Sequence, residues 1–315
     1  MPGLMAVFRK ELADHLGSRR FAILFALILL AGMSSVYVAA QAIREELAAA
    51  TAQEHAFLLL FTASAGQLPA FFTFIGFLGP LVGIALAFDS INTEQSRGTM
   101  SRLLSQPIYR DSVINGKFLA ALVTVAVMLA SIVLLVSALG ILRLGVIPKG
   151  EEAARLLAFL VVCVVYVGFW VALATAFSVL LRQTATAALA GIAAWIFFTF
   201  FVNMIVDTIA NAVLQAAEVL DFESYLQIEG MQRLLARVSP NTLFHESTLF
   251  ILTPTARTLR SLFLPGEVRG ILPNPLSLEQ SLLLVWPQVV GLLALTSFCF
   301  AAAYVKFMRQ EIRSL

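Results

Sequence analysis

Ionisable side chains are scarce in this chain and vanish from its long apolar runs. Of 315 residues, 13% are charged and 60% hydrophobic, whereas soluble domains carry about 25% charged residues. A soluble fold is excluded. No Asp, Glu, Lys, Arg or His interrupts 21–41, 57–88, 118–142, 156–181, 183–206 or 280–305. Ion-coupled carriers and proton pumps commonly keep ionisable groups at membrane depth, so a stand-alone secondary carrier is disfavoured. Backbone carbonyls of broken helices can still bind sodium, which leaves that reading open. A channel with a charged selectivity ring has nothing to build the ring from.

Catalytic and metal motifs are missing as well. His245-Glu246 resembles half of a zinc-protease motif, but the second ligand four residues beyond His245 would be Leu249. His15 and His55 stand alone. Ser131 and Ser178 lie in apolar runs that hold no histidine to act as a base. A phosphate-binding loop needs G-x-x-x-x-G-K-[ST]; here Gly116-Lys117 is followed by Phe118, and position 111 is Asp. The chain is expected to be no enzyme, to hold no cofactor or metal, and to bind no nucleic acid. The two cysteines, Cys163 and Cys299, are expected about 15 Å apart in depth at 1.5 Å per residue. That is too far for a disulfide, whose Cα atoms lie within about 7 Å. They read as packing residues.

What is present is a set of spans. A helix crosses the hydrocarbon with about 20 apolar residues, so the expected fold is an all-α polytopic membrane protein. Its six transmembrane helices are placed near 21–41, 69–88, 118–142, 156–181, 185–206 and 282–305, in a single domain of 1–315. Pro69 is expected in the first turn of the second span, with 57–68 as a lead-in. The first run is longer than a signal-peptide core and reads as a retained span. Short loops rich in Lys and Arg face the cytoplasm. Arg19, Arg20, Arg97, Arg102, Arg110, Lys117, Arg182, Lys306 and Arg309 therefore put both termini inside, in the cell (inner, cytoplasmic) membrane. Arg143, Lys149 and Arg155 work mildly against this.

Residues 4–19 form an amphipathic helix, with Leu4, Met5, Phe8, Leu12 and Leu16 on one face. It could lie in the membrane interface or pack on protein. Residues 207–280 form a large, mostly helical outer segment. Within it Ser239-Pro240 reads as a cap plus first-turn proline, opening a short apolar helix from about Asn241 to Leu252. That length suits a re-entrant or interfacial piece. Between spans 2 and 3 lies a polar stretch, FDSINTEQSRGTMSRLLSQPIYRDSVINGKF, residues 88–118. A helix is expected from Ile91 to Gln106 with Gly98 inside it, stopped by Pro107. Asp111 is expected to cap the helix that follows. On residue chemistry alone this stretch is either a solvated connector or a docking surface.

The pattern F-D-x-I-x-x-E-x-x-x-G-T-x-x-x-L-L-x-x-P-x-x-R-x-x-x-x-x-G-K resembles the signature of ABC-2 type transporter permeases. Phe88, Asp89, Ile91, Glu94, Gly98, Thr99, Leu103, Leu104, Pro107, Arg110, Gly116 and Lys117 carry it. Phe8-Arg9-Lys10-Glu11-Leu12 followed by Arg19-Arg20 resembles the family's basic N-terminal helix. Ser239-Pro240-Asn241 through Leu252-Thr253-Pro254 resembles the segment before its last span. The resemblance implies the membrane subunit of an ATP-driven exporter. It would be a homodimer paired with two copies of an ABC-type ATPase, which holds ATP and Mg. Residues 89–117 would be the cytoplasmic coupling segment, with Glu94 as first candidate for the coupling contact. Arg97 and Arg102 come next, with Gly98, Thr99, Leu103 and Leu104 completing the docking helix. An ordinary surface carboxylate is the plain alternative for Glu94.

The family's substrates range over drugs, lipids, peptides, ions and factors for periplasmic metal-centre assembly, and nothing here selects one. Phe74, Phe77, Phe197, Phe201 and Asn203 are candidates for an apolar substrate pathway; lipid-facing or core packing is the plainer reading of those rings. Beyond membrane lipid, the 207–280 segment is the place for an extracytoplasmic partner. A non-transporting membrane scaffold driven by the same kind of ATPase is the rival function.

Overall fold

A computed structural model describes residues 2–49, 55–64, 68–96, 98, 108–216, 222–254 and 275–310. The described residues are helical, without strands. In chain order the helices are α1 (Pro2–Leu16), α2 (Arg19–Ala49), α3 (Ala56–Thr62), α4 (Phe71–Ala87), α5 (Asn92–Ser96), α6 (Arg110–Leu144) and α7 (Gly150–Leu180). Then follow α8 (Thr184–Ile196), a π-helical turn (Phe197–Phe201), α9 (Val202–Ala216), α10 (Phe222–Ala236), α11 (Pro240–Leu252) and α12 (Leu278–Arg309). Six stretches among them are long and apolar enough to cross a membrane: Arg19–Arg44, Phe71–Glu94, Arg110–Leu144, Gly150–Leu180, Thr184–Leu214 and Leu278–Arg309.

The fourth span, α7, is the axis of the bundle. It packs against α4, α6, α8, α11 and, most extensively, α12. Its Phe159, Cys163, Tyr166 and Trp170 are fully buried. At one end Phe61, Phe71 and Phe159 meet edge to face, with centroids 5.4 to 6.4 Å apart. Without water to drive association, helices in lipid approach through small residues. A Cβ on Gly83 would sit 2.8 Å from Trp170 Cβ and 2.9 Å from the Val167 carbonyl oxygen; only glycine lets α4 lie this close to α7.

α4 also contains Pro80. Proline has no N–H, so the carbonyl four residues earlier loses its helical donor. That carbonyl belongs to Gly76, and the Tyr166 hydroxyl donates to it at 2.7 Å. A side chain from the fourth span thus completes the backbone of the second. An unmet carbonyl in hydrocarbon is costly, so the two spans are coupled chemically as well as by packing.

Several local expectations change. Pro69 lies ahead of α4, outside its first turn, and its carbonyl accepts from Ser35 Oγ at 2.8 Å. Tyr109, not Asp111, is the N-cap of α6; Asp111 sits in the first turn and its carboxylate accepts from the Ser112 N–H. Ser239 does cap α11 with Pro240 in the first turn, but its hydroxyl donates to the Phe198 carbonyl instead of bonding the helix.

We expect Tyr166→Phe to lower stability by about 1–3 kcal/mol, the cost of a buried unsatisfied polar group. Pro80→Ala should restore the missing backbone donor. The double variant should therefore lose less stability than the sum of the two single changes. Thermal unfolding of all four proteins in one detergent checks this; simple additivity would refute the link.

Candidate functional site

The candidate site lies at the end of the bundle that carries α1, α5 and Gln310, called here the terminal end. Its centre is Lys117, about two turns into α6 and only 6% exposed. An isolated ammonium at such a place would be expelled or neutralised. Two carboxylates hold it. Its Nζ is 2.8 Å from Glu11 Oε1 on α1 and 2.9 Å from Glu94 Oε1 on α5. Both carboxylates are themselves largely covered, at 12% and 20% exposure. One cation therefore binds the N-terminal helix and the start of the 88–118 stretch to the third span.

The neighbouring residue makes this possible. A Cβ on Gly116 would stand 2.9 Å from Val7 Cγ1 and 3.3 Å from the Leu4 carbonyl oxygen. Glycine there brings α1 down onto α6 until Glu11 reaches Lys117. Burial alone would push the Glu11 carboxyl up, but the Lys117 charge and hydrogen bond, with Lys10, outweigh it and hold Glu11 below its ordinary value. His15, on the same helix, is pushed down chiefly by burial, with Lys117 adding to the effect against Glu11 and Asp89.

A second charged pair flanks the first. Arg20 Nη1 is 2.6 Å from Asp89 Oδ2, and its guanidinium lies 5.2 Å from the centroid of the Phe88 ring. The Arg19-Arg20 entry to α2 is thereby fastened to the Phe88-Asp89 exit of α4. The start of α5 is fixed by Ser178 of α7, whose Oγ accepts from the backbone N–H of Ile91 at 3.0 Å and of Asn92 at 3.3 Å. Ser178 thus serves as a helix cap offered by another helix. Beneath it Ile91, Ile114, Ala176, Val179, Ala303 and Phe307 form a separate small apolar core. Arg110 donates to the Gln310 carbonyl at 3.0 Å, and the Gln310 amide donates to the Val179 carbonyl at 2.9 Å. Elements from both chain termini and the 88–118 stretch meet here.

Of the coupling candidates, the structure places Glu94 and Gly98. Of the helix expected from 91 to 106, the described part is α5, Asn92–Ser96. Gly98 has φ +66°, a left-handed conformation that an α-helix does not contain. Arg97, Thr99, Arg102, Leu103 and Leu104 lie outside the described residues, as does Pro107.

The pathway candidates divide. Phe77 faces outward from α4 and meets Trp195 at 5.0 Å and Phe200 at 6.5 Å. Phe197 and Phe201 in the π-helical turn are 46% exposed, and neither shares a ring contact with Phe77. Phe74 is half-buried. Asn203 is exposed, and its amide reaches only the Thr199 carbonyl, at 3.4 Å.

At the far end of the bundle the structure buries charges whose sequence positions suggest a loop. Arg155 is fully buried. It pairs with Glu151 at 2.9 Å and donates to the Ile251 and Leu276 carbonyls and to Ser281 Oγ. α11 packs among α4, α7 and α12. Its Ser239 end touches Phe198, which lies about 21 Å along its helix from Thr184 at 1.5 Å per residue. The buried Glu246 carboxylate accepts from Arg237 and from Gln288 of α12, each at 2.9 Å. The six apolar runs are free of charge, but this short helix brings a carboxylate in beside them. Composition could not show this, because the charge enters from a segment too short to span.

The chain matches the family described as "ABC-2 family transporter protein" over residues 5–312. It is 32% identical over 212 residues to "Probable ABC transporter permease protein NosY" of Pseudomonas aeruginosa, a match covering 65% of this chain and 70% of that one. A protein of the same name from Stutzerimonas stutzeri is 29% identical over 215 residues, covering 67% and 71%.

We expect Lys117→Met to cost roughly 3–5 kcal/mol, as when one partner of a buried ion pair is removed. Because the folded Glu11 value is depressed, its contribution is full above the unfolded value and is lost as pH falls through the folded one. Glu11→Gln should therefore be less stable at neutral pH and flatter on the acid side. Unfolding midpoints measured from neutral to acid pH check both statements; parallel curves for wild type and Glu11→Gln would refute the second.

Proposed function

Given that this chain belongs to the ABC-2 family of transporter proteins, we propose that its terminal end faces the cytoplasm and receives the stroke of a separate ATPase. As an ABC transporter permease subunit it is a multi-pass membrane protein with no catalysis of its own, and ATP is bound by the ATPase subunit. The finer reading is an exporter that works as a homodimer with two ATPase copies. Residues 89–117 form the coupling segment, and Arg97, Thr99, Arg102, Leu103 and Leu104 belong to its docking surface. The Phe77, Trp195 and Phe200 face is a candidate border of the substrate path.

The observation that carries this reading is the Glu11–Lys117–Glu94 bridge. A coupling element must hand displacement to the spans instead of absorbing it. Here the segment is joined to α1 and α6 by charge, to α7 through Ser178, and to α2 through the Arg20–Asp89 pair. Contiguous packed and hydrogen-bonded contacts are the physical means by which motion travels between sites. The exit of α4 and the entry of α6 lie on either side of the segment, so a push on it reaches two spans at once.

Purification of the chain from its native membrane in mild detergent should bring an ABC-type ATPase in comparable amount. Glu94→Gln should keep the complex and its ATP hydrolysis while lowering transport in reconstituted vesicles at least severalfold. Full transport by Glu94→Gln would remove Glu94 from the coupling path. Absence of any ATPase from an intact, folded preparation would remove the docking role of residues 89–117.

A further inference from the structure

Away from the coupling end, a shallow, open groove of about 450 Å³ lies between α2 and α6, lined by Met33, Ser34, Tyr37, Val38 and Leu139. Most of the lining is apolar. Of its two hydroxyls, Ser34 is committed to the Leu30 carbonyl at 2.8 Å, and Tyr37 stands at the edge. The walls below Tyr37 therefore favour hydrocarbon.

The upper edge of this groove carries a charge. Arg143, in the last turn of α6, lies with its guanidinium 4.2 Å from the centroid of the Tyr37 ring. A cation over an aromatic face is held in place, and that contact consumes none of the five N–H donors of the guanidinium. Arg143 is exposed and makes no hydrogen bond or ion pair among the described residues. Gly145, left-handed at φ +70°, ends α6 immediately beyond it. Tyr and Arg at the end of a span mark the level of lipid headgroups. The groove thus has largely apolar walls below and a cation at the level where the span ends.

We propose that the α2–α6 groove is a binding site for one anionic phospholipid, with an acyl chain against Met33, Val38 and Leu139 and its phosphate on Arg143. The planar fork of a guanidinium matches a phosphate by two parallel hydrogen bonds. Tyr37 holds the guanidinium at 4.2 Å from its ring centroid and walls the groove at the point where the chain meets the headgroup. The site is separate from the coupling path and makes no use of it.

The test is native mass spectrometry of the full chain released from bilayer discs of equimolar phosphatidylglycerol and phosphatidylcholine. Wild type should retain phosphatidylglycerol in preference. Arg143→Gln should lower that preference about fivefold, the size of one cationic contact with an anionic surface, and Arg143→Lys, which keeps the charge and loses the fork, should fall between wild type and Arg143→Gln. Leu139→Trp, which fills the groove and keeps the cation, should reduce retained lipid of both kinds. Arg182→Gln, at the other end of the bundle, should change nothing. No headgroup preference in wild type, or an unchanged one in Arg143→Gln, would overturn the proposal. So would a loss of dimer in Arg143→Gln with lipid unchanged, which would assign the groove to a second copy of the chain.

Discussion

One ammonium group organises the terminal end of this protein. Lys117 is almost wholly covered, and its charge is tolerable only because two carboxylates from distant parts of the chain converge on it. Removing an ion from water costs several kcal/mol even after relaxation, so neither carboxylate can leave without a penalty. That makes three helices interdependent. α1 must lie across α6, which needs glycine at 116. α5 must begin where it does, which needs Ser178 to meet its first N–H groups. Each of these side chains is ordinary alone; their arrangement follows from the burial of one cation.

From mid-span to the far end a second problem is added. There backbone carbonyls are liabilities too, and side chains meet them. Tyr166 serves the carbonyl that Pro80 orphans, Ser239 serves Phe198 in the π-helical turn, and Arg155 gathers two carbonyls and a serine. π-helical turns and prolines recur in membrane helices where neighbours can complete the backbone. Charge pairing holds both ends, through Lys117 at one and through the Arg155–Glu151 and Arg237–Glu246 pairs at the other; backbone completion is added from mid-span onward, with α7 contributing Ser178, Tyr166 and Arg155.

Much of this architecture is legible in the amino-acid sequence. Six uncharged runs correspond to six long apolar helices, and Ser239-Pro240 marks the start of α11. Glu11, Glu94 and Lys117 each stand in a recognisable pattern. Their meeting is not legible, because sequence spacing says nothing about three helices packed at different angles. Gly98 reads as a residue within a helix; its positive φ depends on what the chain does on either side. Arg155 looks like loop charge because it stands one residue before an apolar run. The length of the Glu246 helix suits a re-entrant or interfacial piece, but length does not say which groups cover its carboxylate. In each case the missing information is tertiary: which group is covered, and by what.

The Arg155 cluster also bears on how the chain is built. Arg155 enters with the fourth span, but its acceptors at Ile251 and Ser281 lie 96 and 126 residues downstream. During synthesis only Glu151, one turn away, is present to receive it. The guanidinium must therefore wait near the lipid surface until α11 and α12 arrive. The last third of the chain is thus the step that seats a span inserted long before it, and a chain truncated before Ser281 would hold its fourth span with the anchor unset.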